Sequence, residues 1–315
     1  LYLCENIKII NMSHLFNLPD NLYDNYDISK ISKYKKILLF LHSRLFILIY
    51  KFFDTNLYAK AINLFFVKNG NVSYIKNLGY KYHYQDTSLI YPNKLRIFRA
   101  IDKLDNLKTR FKEKYFLDEI DFTEGDLIVD CGANIGELYF SLLEKKGFEY
   151  IAFEPDTNNF KCLTNNLSNF KNVKLYEIGL SSKSGEEKFY LSRDGADSSL
   201  SYYGDEDYQI IKTNPLDLYK INKLKLLKIE AEGFEPEILI GAKNTIKNTE
   251  FITVDVSSER GQDSESTLSD VTSYLIQNNF ELLGFNPKHY SVFFKNKDYW
   301  YVWIYRTSIK QFNWL

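Results

Sequence analysis

The residues most able to do chemistry in this chain are acids and glycines in the segment 126–136, Asp-Leu-Ile-Val-Asp-Cys-Gly-Ala-Asn-Ile-Gly. A short apolar run there predicts a buried strand, and Asp130 stands at its end. Gly132 and Gly136 follow, before a helical pattern over 137–144. Glycines let a backbone approach a ligand closely, and a helix N-terminus offers unpaired N–H groups. The segment therefore predicts a nucleotide-type site, although a purely structural turn would use the same glycines.

The spacing of these residues does not match a dinucleotide site. The dinucleotide fingerprint has glycines at the first, third and sixth places of the loop, whereas this chain has Asp130, Gly132 and Ile135 there. An acid at the tip of the first strand favours a cationic ligand or one rich in hydrogen-bond donors. S-Adenosylmethionine has an ammonium, a sulfonium and a ribose diol, and it is the cofactor that this pattern predicts.

A second acid follows about 24 residues later, at the end of the next predicted strand. Glu154, in Tyr-Ile-Ala-Phe-Glu-Pro, is placed to accept hydrogen bonds from ribose hydroxyls, because adjacent parallel strands end side by side. Pro155 ends the strand, since proline cannot donate to a ladder. An ordinary solvated acid at a strand end is the alternative interpretation.

Strands and helices alternate through the rest of the chain. Further strands are predicted at 173–180, 187–192, 225–230, 251–256, 280–285 and 297–306, and helices at 156–169, 235–246 and 268–277. This alternation predicts an α/β fold with a mainly parallel sheet and helices on both faces, whose ligands bind at the carboxyl ends of the strands. Glu230, Glu232 and Asp255 also fall at or near such ends.

Residues 124–285 resemble the FkbM-type S-adenosylmethionine-dependent methyltransferases. The matching segments are Val-Asp-Cys-Gly-Ala-Asn-Ile-Gly (129–136), Ala-Phe-Glu-Pro (152–155), Gly-Leu-Ser (179–181), Pro-Leu-Asp-Leu (215–218) and Leu-Lys-Ile-Glu-Ala-Glu-Gly-Phe-Glu (227–235). They occur in the family's order and cover about half of the chain. The last segment usually reads Lys-Ile-Asp-x-Glu-Gly, so Glu230 keeps the charge of the family's aspartate on a longer side chain.

The resemblance implies a class I methyltransferase fold, which is Rossmann-like, and cofactor contacts from the matching segments. The residues implied to bind the cofactor are Asp130, Gly132, Ala133, Asn134, Gly136, Glu154, Pro155, Gly179 and Leu180. The resemblance also implies methylation of a sugar or natural-product hydroxyl, often in surface-polysaccharide pathways. We expect a mostly helical accessory region at 1–115 and the methyltransferase domain at 116–315.

Methyl transfer to a sugar hydroxyl calls for a base or a metal ion near the methyl group, because the hydroxyl is a poor nucleophile until its proton leaves. In this fold the fourth strand ends beside the methyl group, which nominates Glu230 and Glu232 as catalytic, with Lys228 to orient one of them. A structural ion-pair network would use the same residues. Carboxylates suit Mg²⁺, so a divalent metal ion is an alternative to a base at this site. The four scattered histidines and three separated cysteines predict no zinc site.

Composition and charge indicate an intracellular enzyme. A formal net charge of −1 gives no general attraction to nucleic acid, and three cysteines argue against a disulfide-stapled secreted protein. The first residues lack the cationic region of a signal peptide. We therefore expect a cytoplasmic protein that acts on a small molecule or a glycan.

Residues 31–53 form a strongly apolar stretch outside the predicted sheet. His42, Ser43 and Arg44 interrupt it, and a membrane span needs about 20 mostly apolar residues. A buried helix of the accessory region is the simpler interpretation. The flanking lysines also allow an interfacial helix in peripheral contact with the inner face of a membrane, which would suit a lipid-linked glycan substrate.

Two other functions fit the same residues. One is a methyltransferase for a small amine or a natural product, and the other is a non-catalytic module that binds the cofactor and tethers a glycan-assembly complex. Alanine at Glu230 and Glu232 separates enzyme from scaffold. An enzyme loses turnover while it still binds cofactor, whereas a scaffold loses neither cofactor binding nor partner association.

Overall fold

The computed structural model describes residues 32–145, 147–190, 208–261 and 265–299. The chain divides into two compact units, with the boundary between Leu104 and Asp105. The boundary expected from the sequence, near residue 115, coincides with the end of a helix of the second unit.

The first unit combines helices with one small sheet. Its elements are α1 (Lys33–Phe52), α2 (Thr55–Phe65), β1 (Asn71–Ile75), β2 (Gly79–Tyr84), β3 (Thr87–Tyr91) and α3 (Lys94–Ala100). The strands form an antiparallel meander in the order β1-β2-β3. Tyr58 and Tyr82 are both fully buried, so aromatic side chains form part of this unit's core. No helix among the described residues combines the length and the apolar character needed to cross a membrane.

The second unit is built around a seven-stranded sheet. The helices of this unit are α4 (Leu104–Tyr115), α5 (Glu137–Ser141), α6 (Thr157–Asn166), α7 (Glu235–Gly241) and α8 (Leu268–Gln277). The strands of the large sheet are β4 (Leu127–Cys131), β5 (Glu149–Phe153), β6 (Val173–Tyr176), β10 (Leu224–Ile229), β11 (Thr249–Asp255), β14 (Phe280–Asn286) and β15 (Ser291–Asn296). Two smaller sheets are formed by β7 (Gly179–Leu180), β8 (Gly185–Tyr190) and β9 (Tyr208–Asn214), and by β12 (Ser258–Arg260) and β13 (Glu265–Ser266).

The large sheet has the order β14-β15-β11-β10-β4-β5-β6. The neighbouring strands β11, β10, β4, β5 and β6 are parallel to one another. Strand β15 is antiparallel to both β11 and β14. Consecutive residues Leu226 and Leu227 of β10 are both fully buried, which shows that both faces of the sheet are covered. The mainly parallel sheet with both faces covered confirms the predicted α/β fold class.

Two predicted strands are wrong in their extent. The run predicted as one strand over 173–180 is divided between β6, in the large sheet, and β7, which pairs with β9. An apolar run alone does not show where a strand leaves its sheet. The strand predicted over 297–306 does not begin at 297, because 297–299 lie outside any strand, and the last strand along the described residues is β15, between β11 and β14. Residues 300–306 lie outside the described part of the chain.

Candidate active site

The loop after β4 is fixed to the end of β5 by backbone hydrogen bonds. The N–H groups of Gly132 and Ala133 both donate to the carbonyl oxygen of Phe153 at 3.0 Å, and Gly136 N donates to Ala133 O at 2.8 Å. Gly132 has φ +73°, and a Cβ placed there would lie 1.8 Å from the carbonyl oxygen of Glu230. Only glycine therefore fits where this loop meets the end of β10. Strands β4 and β10 are neighbours from which the chain order of the strands runs outward in opposite directions, and ligands of such sheets bind at this point.

Glu154 lies at the end of β5 and holds the same loop through its carboxylate. Its Oε2 accepts a hydrogen bond from Asn134 N at 2.7 Å, its Oε1 accepts one from Asp156 N at 2.9 Å, and the residue is 5% exposed. Asn134 has φ +53°, and its buried Oδ1 has no hydrogen-bond partner among the described residues. A carboxylate oxygen has more than one lone pair. The loop thus offers acceptors to a ligand rich in donors, next to the half-buried Pro155.

Asp130 is already paired within the protein. It is fully buried, its Oδ1 lies 2.9 Å from Lys228 Nζ, and its Oδ2 accepts a short hydrogen bond from the Tyr150 hydroxyl. The parallel register of β4 and β10 puts Asp130 and Lys228 side by side. The carboxylate that the sequence predicts to face a cationic or donor-rich ligand is therefore paired with Lys228 and Tyr150 in the structure. A contact of Asp130 with the cofactor stays a prediction.

Glu230 lies between two lysines. Its Oε2 is 3.1 Å from Lys228 Nζ and its Oε1 is 2.5 Å from Lys114 Nζ, which also lies 2.6 Å from Asp255 Oδ2. Lys228 donates a further hydrogen bond to Gly132 O at 2.8 Å. The network therefore reaches the loop 132–136 after β4, which we call the glycine loop. The Glu230 side chain is 27% exposed, whereas that of Lys228 is 2% exposed. Lys114 lies in the last turn of α4, far from every motif along the chain, and no sequence pattern marks it as part of the site.

The charges of this network hold its members ionised. Burial opposes the ionisation of Glu230, but Lys114 and Lys228 outweigh burial and lower the pKa of this carboxyl group. Burial also opposes the charge of each lysine, and the neighbouring carboxylates outweigh it and raise both lysine pKa values. A carboxylate with a depressed pKa is a poor proton acceptor near neutral pH. The geometry therefore favours an orienting role for Glu230 over a role as base.

Two further acids meet where the loop after β10 packs against β12. Glu232 has φ +50°, a conformation that residues other than glycine rarely adopt, and its side chain interacts with that of Glu259. The loops are close, because a Cβ on Gly233 would lie 2.6 Å from Arg260 Cα. Burial and then the charge of Asp255 raise the pKa of Glu259. Two neighbouring carboxyl groups can hold one proton between them, so this pair is able to take up and release a proton.

The remaining predicted cofactor residues, Gly179 and Leu180, form β7. Leu180 is 3% exposed and belongs to the main hydrophobic core. A Cβ on Gly179 would lie 2.9 Å from Ile211 Cδ1, so β9 packs directly over this position. Packing accounts for both residue types, and their contact with the cofactor stays a prediction.

Potential metal ligands are dispersed in the part of the chain that the structure describes. There, no group of three or more His, Cys, Asp or Glu side chains is arranged to hold a metal ion. Cys131 and Cys162 are buried and lie outside any disulfide bond, and burial raises the pKa of Cys131. Neither thiol is thus presented as a nucleophile or a ligand.

Glu235, at the start of α7, stabilises the loop 230–234 between β10 and α7, which we call the acidic loop. Its Oε1 accepts hydrogen bonds from Ala231 N at 3.0 Å and Gly233 N at 3.1 Å, and its Oε2 accepts one from the Thr267 hydroxyl at 3.0 Å. The residue is 1% exposed, and burial raises its pKa from the ordinary 4.5 to about 7.

The raised pKa of Glu235 predicts that stability falls as the pH rises from about 4.5 to about 7. Between these values the folded protein binds more protons than the unfolded chain, so raising the pH favours unfolding by up to about 3 kcal/mol. Glu235→Gln removes this slope. The measurement is urea unfolding at several pH values, with the exposed Glu281→Gln as a control that keeps the slope. An unchanged slope in Glu235→Gln would contradict the assignment.

Known proteins match mainly the second unit. Residues 130–284 match the family described as the Methyltransferase FkbM domain. The hexuronic acid methyltransferase AglP of Haloferax volcanii is 29% identical over 137 residues, which make up 42% of this chain and 56% of AglP. The chain therefore matches little more than half of the length of that relative.

Solved structures with some likeness to the chain include other methyltransferases. Methyltransferase FkbM from Methylobacillus flagellatus KT aligns with a TM-score of 0.44 at 19% identity, over 64% of this chain and 60% of its own. TrmK of M. capricolum, solved with S-adenosylhomocysteine, aligns with a TM-score of 0.36 at 12% identity, over 62% and 68% of the two chains. The family match rests instead on residues 130–284, which contain the glycine loop, Glu154 and the acidic loop. Through these residues, just under half of the chain, the second unit matches the FkbM methyltransferase family.

Proposed function

We propose that this protein transfers the methyl group of S-adenosylmethionine to a hydroxyl group of a sugar. One observation carries the proposal: Glu154 at the end of β5 binds the glycine loop after β4 through Asn134 N, so both predicted cofactor elements form one surface. That surface lies at the carboxyl ends of parallel strands, where ligands of such sheets bind. The family match over residues 130–284 supports the same reaction.

The residues of the loop fit the donors of S-adenosylmethionine. Ribose hydroxyls can donate to the Glu154 carboxylate, which two backbone N–H groups keep oriented. A further donor can reach the buried Asn134 Oδ1, which lacks a partner among the described residues. The absence of a side chain at Gly132 lets the loop pack against the end of β10, which fixes its position at the proposed cofactor surface. When bound, the cofactor would supply an electrophilic methyl group on a positively charged sulfur.

The acceptor is proposed to be a glycan or sugar carrying a hexuronic acid. The named activity of the relative AglP supports this class, and it supports a place in the biosynthesis of glycans or surface polysaccharides. The test is to incubate the full chain with methyl-labelled S-adenosylmethionine and hexuronic acid glycans, neutral sugars or small amines. Label on hexuronic acid oxygen is expected, and label on the amines alone would contradict the proposal.

For the acceptor side, we propose that Glu259 and Glu232 take up the proton of the attacking hydroxyl. The raised pKa of Glu259 and its closeness to Glu232 support this role. Lys114 and Lys228 hold Glu230 ionised and fix its position, so Glu230 would orient the acceptor rather than accept its proton. The hydroxyl oxygen forms the new bond to the methyl carbon as the carbon–sulfur bond breaks, and the proton moves to the carboxylate pair.

Glu259→Gln is expected to lower kcat by about 100-fold or more, the usual contribution of general base catalysis. The dissociation constant of S-adenosylmethionine should change less than about twofold, because the substitution preserves shape and lies outside the cofactor loop. Methyl-transfer kinetics and calorimetric titration measure the two quantities. Glu265→Gln, on the neighbouring strand β13, is exposed and serves as the matched control. If Glu259→Gln keeps full kcat, the proton acceptor lies elsewhere.

A further inference from the structure

The helix α1 exposes an apolar face along its whole length. The large apolar residues of this face are Tyr34 (72% exposed), Ile37 (58%), Leu38 (46%), Leu41 (56%), Leu48 (54%) and Phe52 (69%). Their spacing of three, four and seven residues puts them on one stripe of the helix. The buried residues of α1, Ser43, Phe46 and Ile49, also recur at helical spacing and define the side that packs into the first unit. The exposed stripe is therefore not part of the core of that unit.

The next helix, α2, repeats this arrangement. Leu57, Leu64 and Phe65 are 60%, 75% and 48% exposed, while Tyr58 and Ile62 are fully buried. Single exposed apolar side chains are common on protein surfaces, but these nine large ones on two consecutive helices indicate an interaction surface. We call the exposed apolar side chains of α1 and α2 the helical face.

The charges around the helical face are almost all positive. Between residues 32 and 66 the chain has six basic residues and one acidic residue, although its overall formal net charge is −1. The basic residues are Lys33, Lys35, Lys36, Arg44, Lys51 and Lys60, and the acidic one is Asp54. Asp54 forms an ion pair with Lys94, outside this stretch. The partner of the helical face must therefore match apolar side chains and a surplus of positive charge together.

We propose that the helical face binds the surface of a membrane that contains anionic lipids, with α1 and α2 lying in the plane of the interface. A helix with apolar residues on one side and lysines beside them is the arrangement that inserts at the boundary of headgroups and acyl chains. Anionic headgroups attract the lysines and Arg44 at the same time. A second copy of the chain is a poorer partner, because pairing two such faces brings like charges together. This membrane contact is a property of the first unit and does not depend on methyl transfer.

The test is sedimentation of the full chain with vesicles, without cofactor or acceptor. We expect binding to vesicles of phosphatidylcholine mixed with phosphatidylglycerol, at least tenfold weaker binding to phosphatidylcholine alone, and weaker binding as salt is added. Leu41→Ser combined with Leu48→Ser should weaken binding by tenfold or more, since both side chains lie on the helical face. Ile240→Ser, on α7 of the second unit, removes an equally exposed side chain (52%) and should leave binding unchanged.

Three results would overturn the proposal. The first is no binding of the folded full chain to anionic vesicles, as expected if another segment of the chain covers the helical face. The second is an equal loss of binding in the Ile240→Ser control. The third is a doubled mass in light scattering that the leucine variants abolish, together with no vesicle binding, which would make the helical face an interface between copies. Because cofactor binding is measured separately, none of these results bears on the proposed methyl transfer.

Discussion

Replacing Lys228 with methionine is expected to lower the free energy of unfolding by about 3–5 kcal/mol. The Lys228 side chain is 2% exposed and lies within 3.1 Å of carboxylate oxygens of both Asp130 and Glu230. Methionine fills a similar volume but leaves the fully buried Asp130 without its cation. An uncompensated buried charge is far more costly than the loss of an exposed ion pair. Urea unfolding measured by circular dichroism gives the change.

The control for this prediction is Lys288→Met. Lys288 pairs with Glu113 at 3.1 Å, but their side chains are 66% and 47% exposed. Exposed pairs contribute about 0–1 kcal/mol, so this variant should unfold almost as the parent protein does. Similar small effects of both substitutions would mean that the Lys228 network is hydrated and contributes little to the fold.

Gly132→Ala is expected to destabilise the protein by about 3 kcal/mol and to weaken the binding of S-adenosylmethionine by tenfold or more. The new Cβ would lie 1.8 Å from the Glu230 carbonyl oxygen, so the backbone of the glycine loop or of β10 has to move. That movement carries Asn134 N away from Glu154, which it contacts at 2.7 Å. Unfolding and calorimetric titration measure the two effects.

Gly125→Ala is the matched control for the loop prediction. Gly125 has φ +80°, close to the φ +73° of Gly132, but a Cβ there meets nothing within 4 Å. Gly125→Ala should therefore lower the free energy of unfolding only by the strain of an alanine with positive φ, about 1–2 kcal/mol. It should leave the affinity for the cofactor unchanged. Equal losses of affinity in the two variants would show that contact with β10 does not define the cofactor loop.

The parts of the site that could be predicted from the sequence depend on local spacing. Asp130 and Glu154 each end a short apolar run, so the order of strands along the chain places them at one edge of the sheet. The helix predicted over 268–277 has the same bounds in the structure, because its apolar residues keep a helical period. The family resemblance was confirmed for the same reason, since its motifs are short and local.

The other parts depend on contacts between residues far apart in the chain. Lys114 pairs with Glu230 across 116 positions, and no local pattern marks a helix lysine for that role. In the sequence, Glu259 is one of many acidic residues and belongs to no motif. Only its closeness to Glu232 in the folded chain distinguishes it from the others. The division of 173–180 into β6 and β7 depends on β9, which is more than 25 residues away. Pairings of this kind become visible only when the chain is folded.

Calorimetric titration of S-adenosylmethionine into the full chain tests the central claim most directly, with NAD as the control ligand. We predict saturable binding of S-adenosylmethionine and none of NAD. Glu154→Ala should weaken the binding at least tenfold, because it removes the carboxylate that orients the loop. Glu149→Ala, at the opposite and exposed end of β5, should bind as the parent protein does. A folded protein that binds no S-adenosylmethionine, or that binds it equally with Ala at position 154, would contradict the account.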